Sequence, residues 1–63
     1  MHRIWFNPQL IPPVDTQKYY VRLEGNVYFP HYCQYDGNSL RFLDLVTGAG
    51  YIIQSVLRVS DYP

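Results

Sequence analysis

The sequence predicts a mainly β protein, a small antiparallel meander of three to four strands with a proline-rich N-terminal segment packed on it. Three observations carry this expectation. Aromatic and β-branched residues, the types strands favour, dominate the chain after residue 17. The turn signals Gly25-Asn26 and Asp36-Gly37-Asn38 recur about every ten residues, the rhythm of a small sheet. Three of the five prolines, Pro8, Pro12 and Pro13, crowd into residues 7–17, where they fix φ and remove amide donors.

The elements follow in order. Residues 3–6 suit a short strand, Ile4-Trp5-Phe6 being apolar. Residues 7–17 form no regular element, but Leu10, Ile11 and Val14 make this stretch apolar enough to lie over the core as a lid. Residues 18–24 are the first strand of the meander, and Gly25-Asn26 closes a hairpin because glycine tolerates the positive φ of a primed turn. Residues 27–35 return as the second strand. Within it Pro30 has no N–H to give a ladder and marks a bulge or interruption. Residues 39–45 make the third strand, and Ser60 to Pro63 a tail.

Residues 49–59 are read as strand, with helix as the alternative. Ala49, Ile52, Ile53, Val56 and Leu57 fall at helical spacing, and Thr47 stands where a cap would. Against that, Tyr51, Ile53, Ser55, Leu57 and Val59 alternate, and two glycines in the first turn cost a helix about 1 kcal/mol each. Thr47-Gly48-Ala49-Gly50 suits a hairpin loop instead.

With Gly25 and Asn26 central, Tyr19 opposes Tyr32, Val21 opposes Pro30 and Leu23 opposes Tyr28. One face then carries Tyr19, Val21, Leu23, Tyr28 and Tyr32. The other carries Tyr20, Val27, Phe29, His31 and Cys33 beside Lys18, Arg22 and Glu24. Both are half apolar, whereas a sheet with one solvated face should be polar on that side.

Length and composition bound the function. The chain of 63 residues and 7.5 kDa is read as one domain, residues 1–17 the proline-rich part and 18–59 the meander. A chain of this size buries only about 60% of its unfolded surface. Cys33 is the only cysteine, so no internal disulfide forms, and His2, His31 and Cys33 fall short of a four-ligand zinc set. No metal or cofactor is expected. Five Lys+Arg balance five Asp+Glu, which argues against a strong nucleic-acid binder, since little counterion release is left to drive association. No apolar run approaches the roughly 20 residues of a membrane-spanning helix, and the N-terminus lacks a secretory apolar region. The expected compartment is the cytoplasm.

Two constellations stand out. His31 faces Asp44 in one register of the second hairpin, and Cys33 lies two residues from His31 on the same face. This outlines a Cys–His pair with an orienting carboxylate, but no oxyanion-hole motif accompanies it, so the chain is not read as an enzyme. The second constellation is the surplus of rings, seven Tyr, three Phe and one Trp. Trp5, Tyr19, Tyr20, Tyr28, Tyr32, Tyr35, Tyr51 and Tyr62 exceed what a small core needs, and such rings are the usual anchors of interfaces. The binding surface is therefore expected at Tyr20, Arg22, Phe29, His31, Tyr32 and Arg41. It would serve a protein partner or a second copy of the chain. An oligomeric sponge for a signalling nucleotide and a weak single-strand binder are the other readings.

The order of features resembles small phage- and prophage-encoded proteins. Trp5, Ile11-Pro12-Pro13, Tyr20-Val21, Gly25-Asn26-Val27-Tyr28, Arg41-Phe42-Leu43-Asp44 and Val59-Ser60-Asp61-Tyr62-Pro63 carry the likeness. Leu57-Arg58 stand near the place where one such family has a His-Trp pair. The resemblance implies an accessory viral protein in the host cytoplasm, of the kind that binds and inhibits a host defence protein. It implies no catalytic residue.

Overall fold

The computed structural model describes residues 3–61, apart from the side chain of Val27. Five antiparallel strands form one sheet: β1 (Lys18–Leu23), β2 (Asn26–Asp36), β3 (Arg41–Asp44), β4 (Gly50–Ile52) and β5 (Val56–Asp61). The spatial order is β4-β3-β2-β1-β5, so four strands meander and the fifth returns to the opposite edge beside β1. The mainly β class agrees with the sequence. The extra strand comes from residues 49–59, which split into β4 and β5 around a single 3-10 turn, Ile53–Ser55. No α-helix forms there. Ser60 and Asp61, expected in a tail, complete β5; Tyr62 and Pro63 lie outside the described residues.

The first hairpin differs from the expected register by one residue. Leu23 pairs with Asn26, so Glu24 and Gly25 are the turn, and Gly25 takes the positive φ of 81°. Tyr19 consequently opposes Cys33, Tyr20 opposes Tyr32 and Val21 opposes His31. Between Val21 and Leu23 the register shifts, so residues 27–30 of β2 stand against Arg22 alone. Pro30 lies in this bulge, where its missing N–H disrupts no ladder bond. The second loop is longer than its turn signal suggested: Asp36 pairs with Arg41, and Leu40 adopts φ 57°.

This register gathers one core. Tyr19, Val21, Cys33, Tyr35, Phe42, Val56 and Val59 are buried together, with Phe6, Leu23, Tyr51 and Ile53 packed against them. Phe42 meets Tyr35 at 4.9 Å and Tyr19 at 5.9 Å between ring centroids, and Tyr19 meets Phe6 at 6.2 Å. The small Cys33, directly opposite Tyr19, leaves room for the Tyr19 and Phe42 rings to touch across β2. Tyr19, Tyr35 and Tyr51 thus serve the core rather than the aromatic surplus.

The N-terminal segment does pack on the sheet. Phe6 makes paired backbone bonds with Val59, each 2.9 Å, in place of the short strand expected at residues 3–6. Pro8 is fully buried. Beyond it the Thr16 N–H bonds to the Tyr35 carbonyl and the Tyr35 N–H to the Gln17 carbonyl, both at 2.9 Å. Leu10, Ile11 and Val14 nonetheless point outward, 79%, 57% and 59% exposed. Backbone hydrogen bonds and Pro8, not these three side chains, hold the cover in place.

Candidate functional site

Period-2 alternation sends even-numbered residues of β1, and of β2 after the bulge, to the face opposite the core. Tyr20 and Tyr32 are direct cross-strand partners there, their rings 5.8 Å apart. The N-terminal segment adds what sequence reasoning missed. Because Phe6 turns inward beside Val59, Trp5 falls on the outer face, and Arg22 lies 4.5 Å from its ring centroid. Arg3 lies 4.0 Å over the Tyr20 ring. Two guanidinium–ring stacks flank the tyrosine pair, each worth about 0.5–1 kcal/mol at a partly exposed site. Trp5 already stood among the surplus rings of the sequence; its placement depends on the long-range bridge to β5.

The other expected surface residues separate. Arg41 shares this outer face but lies on β3, beside Ile52 of β4 and diagonal to Gly50. A Cβ at Gly50 would lie 3.4 Å from the Arg41 side chain and 3.7 Å from Leu43, so glycine keeps that corner flat. Phe29 is 70% exposed in the bulge beside Tyr28. His31 turns to the core face.

There His31 meets Asp44, as one register had suggested, although Cys33 is the direct partner of Asp44 and His31 reaches it diagonally. Asp44 is buried at 3% exposure and every one of its oxygens is engaged. One carboxylate oxygen accepts the Val46 and Thr47 amides at 2.8 and 3.1 Å. The other accepts the Tyr51 hydroxyl at 2.9 Å and His31 Nδ1 at 3.1 Å. Burial alone would raise its pKa, but the two amides, the Tyr51 hydroxyl and His31 together hold it down at about 2. An ionised carboxylate only accepts, so Nδ1 carries the proton of this bond. Nε2 is buried, without a partner among the described residues.

Cys33 lies beneath this cluster. Burial first, then the Asp44 charge, pushes its thiol up to about 12, so it stays protonated and apolar in character. Burial and the bond to Asp44 raise the Tyr51 hydroxyl as well. The cluster chiefly shapes the loop after β3: Asp44 also donates its N–H to the Ala49 carbonyl and accepts the Gly48 N–H.

Among the described residues no three His, Cys, Asp or Glu side chains converge as a metal site, and His2 lies outside them. No described helix is long and apolar enough to cross a membrane. A shallow groove between Asp15-Thr16 and β2 is lined by Gln34, Asp36 and Leu43, and its polar groups are turned on one another. Asp15 accepts the Gly37 N–H at 2.7 Å, Gln34 donates to the Thr16 carbonyl at 2.8 Å, and Asp36 takes the Ser39 hydroxyl at 2.9 Å. Comparison with protein-family models, curated proteins and solved structures gives no match.

Proposed function

We propose that the protein is a non-catalytic interaction module that docks a partner protein on the outer face of its sheet. The observation that carries this is the cluster of Trp5, Tyr20 and Tyr32 with Arg3 and Arg22 on a face with no core behind it. Trp, Tyr and Arg are the residue types that dominate interface hot spots, because each combines large contact area with a polar tip. The resemblance to small phage-encoded proteins supplies the biological form of this reading, an inhibitor that blocks a host protein, defence proteins included.

Affinity capture from bacterial lysate tests it, comparing wild type with Tyr20→Ala, Tyr32→Ala and a control, Leu10→Ala, on the distant N-terminal segment. The reading requires a protein held by wild type and control and lost from both face variants while their melting transitions persist. Equal capture by all four chains would overturn it.

A further inference from the structure

Formal charge balance conceals a one-sided distribution. All five cations, Arg3, Lys18, Arg22, Arg41 and Arg58, belong to the face that bears Trp5, Tyr20 and Tyr32. Lys18 and Arg22 alternate with the inward Tyr19 and Val21, Arg58 pairs with Arg22, and Arg41 precedes the inward Phe42. The acids are elsewhere or engaged. Asp44 is buried in the core, Glu24 sits in the hairpin turn and Asp15 caps the Gly37 N–H. Asp61 stands opposite the inward Tyr19 and takes the Gln17 amide. Among the described residues Asp36 shares the cationic face, as the cross-strand partner of Arg41, and its carboxylate oxygens are held by Asn38 and Ser39.

Arg22 and Arg58 are direct cross-strand partners on β1 and β5. Like charges placed directly opposite each other weaken a sheet. An anion that bridges the two guanidinium groups would offset that repulsion. Contact with the Trp5 ring also restrains the Arg22 guanidinium and lowers the entropy lost when its N–H groups grip a planar acceptor.

Carboxylates fit this face better than nucleic-acid bases. Bases need open ring faces to stack on, and guanidinium groups already lie over Trp5 and Tyr20. Half-exposed Leu43 and Ile52, each 39% exposed, add an apolar margin around Arg41 that suits a polypeptide. We infer that the face takes an acidic segment of a partner protein, its carboxylates received by Arg22 and Arg58 and its apolar side chains by the neighbouring rings. This rests on the docking role given to that face above.

Trp5 is the only tryptophan, so its fluorescence reports directly on the site. Titration with poly-L-glutamate is expected to shift Trp5 emission and raise the melting temperature. Affinity should weaken roughly tenfold as salt rises to about 0.5 M, where screening shortens the reach of each charge. Oligo-deoxythymidine of equal charge should bind less tightly. Arg58→Glu replaces a like-charge pair by an opposite one. It should therefore melt higher than wild type in the absence of polymer and lose the polyglutamate response, a loss that unfolding does not explain. No response to polyglutamate at low salt, tighter binding of the oligonucleotide, or a full response from Arg58→Glu would each overturn the inference. Partner capture that depends on Tyr20 and Tyr32 but is indifferent to salt and to Arg58→Glu would overturn it while leaving the docking surface intact.

Discussion

The Tyr19 hydroxyl accepts the Val14 amide proton at 2.8 Å, although the rest of its ring is buried among Phe6 and Phe42. One side chain thereby joins the core to the proline-rich cover. Tyr19→Phe keeps the ring and strands a partly buried N–H, which should cost about 1–2 kcal/mol. Hydrogen exchange should locate the loss: faster exchange at Val14 and Gln17, with Phe42 changed only by the drop in global stability. Unchanged exchange at Val14 would show that the hydroxyl does not fasten the segment.

The buried carboxylate gives an acid limb. Asp44 has its pKa lowered to about 2, so it binds a proton less readily folded than unfolded. Its stabilising effect is complete above the unfolded value near 4 and is lost as pH falls through about 2, amounting to roughly 2 kcal/mol. Chemical denaturation between pH 7 and 2 should show that fall in wild type. Asp44→Asn should start lower at pH 7 and lack most of the slope below pH 4.

Cys33 gives the opposite limb. Its raised pKa of about 12 means that the unfolded chain loses the thiol proton first, at about 8.5–9. Stability should therefore fall above pH 9, by about 1.4 kcal/mol per pH unit at most. Cys33→Ala should abolish the part of this fall below pH 10, where the raised Tyr51 hydroxyl does not yet contribute. A thiol reagent should react with native protein at pH 8 only as fast as the chain opens. Rapid labelling under native conditions would contradict the buried, protonated thiol.

Gly37 tests the tie between the N-terminal segment and β2. A Cβ there would stand 2.9 Å from the Asp15 carboxyl carbon and 3.1 Å from its Cβ. Gly37→Ala should cost about 1–2 kcal/mol through displacement of Asp15 and loss of its bond to the Gly37 N–H. In a double-mutant cycle with Asp15→Ala the two costs should be far from additive, since they report one contact.

How much of this was legible follows residue by residue. The strands of residues 18–44 showed because their rings and β-branched residues sit between turn signals, and the bulge showed because Pro30 cannot donate. The hairpin register slipped by one because Glu24-Gly25 and Gly25-Asn26 both offer the required glycine, and the bulge absorbs the difference without moving the inward Val21. The return of β5 to β1 was not legible: nothing local in Val56–Asp61 names the strand it will join. Arg3, and the side of the sheet that Trp5 takes, were not legible for the same reason, since both are set by the Phe6–Val59 bridge. The cationic face was hidden because a net charge of zero says nothing about which side of a strand each charge takes.

The strand order has a consequence for synthesis. β1 through β4 pair in the order they are made, but the outer partner of β1 and two of the buried valines, Val56 and Val59, arrive last. A nascent chain that has reached β4 has an unpaired β1 edge and an unfilled core, the kind of surface that recruits chaperones. Completion then comes in one stroke, when residues 56–61 close against β1 and the Phe6 bridge seals their far side. The sheet and its core are thus completed together, by the same six residues.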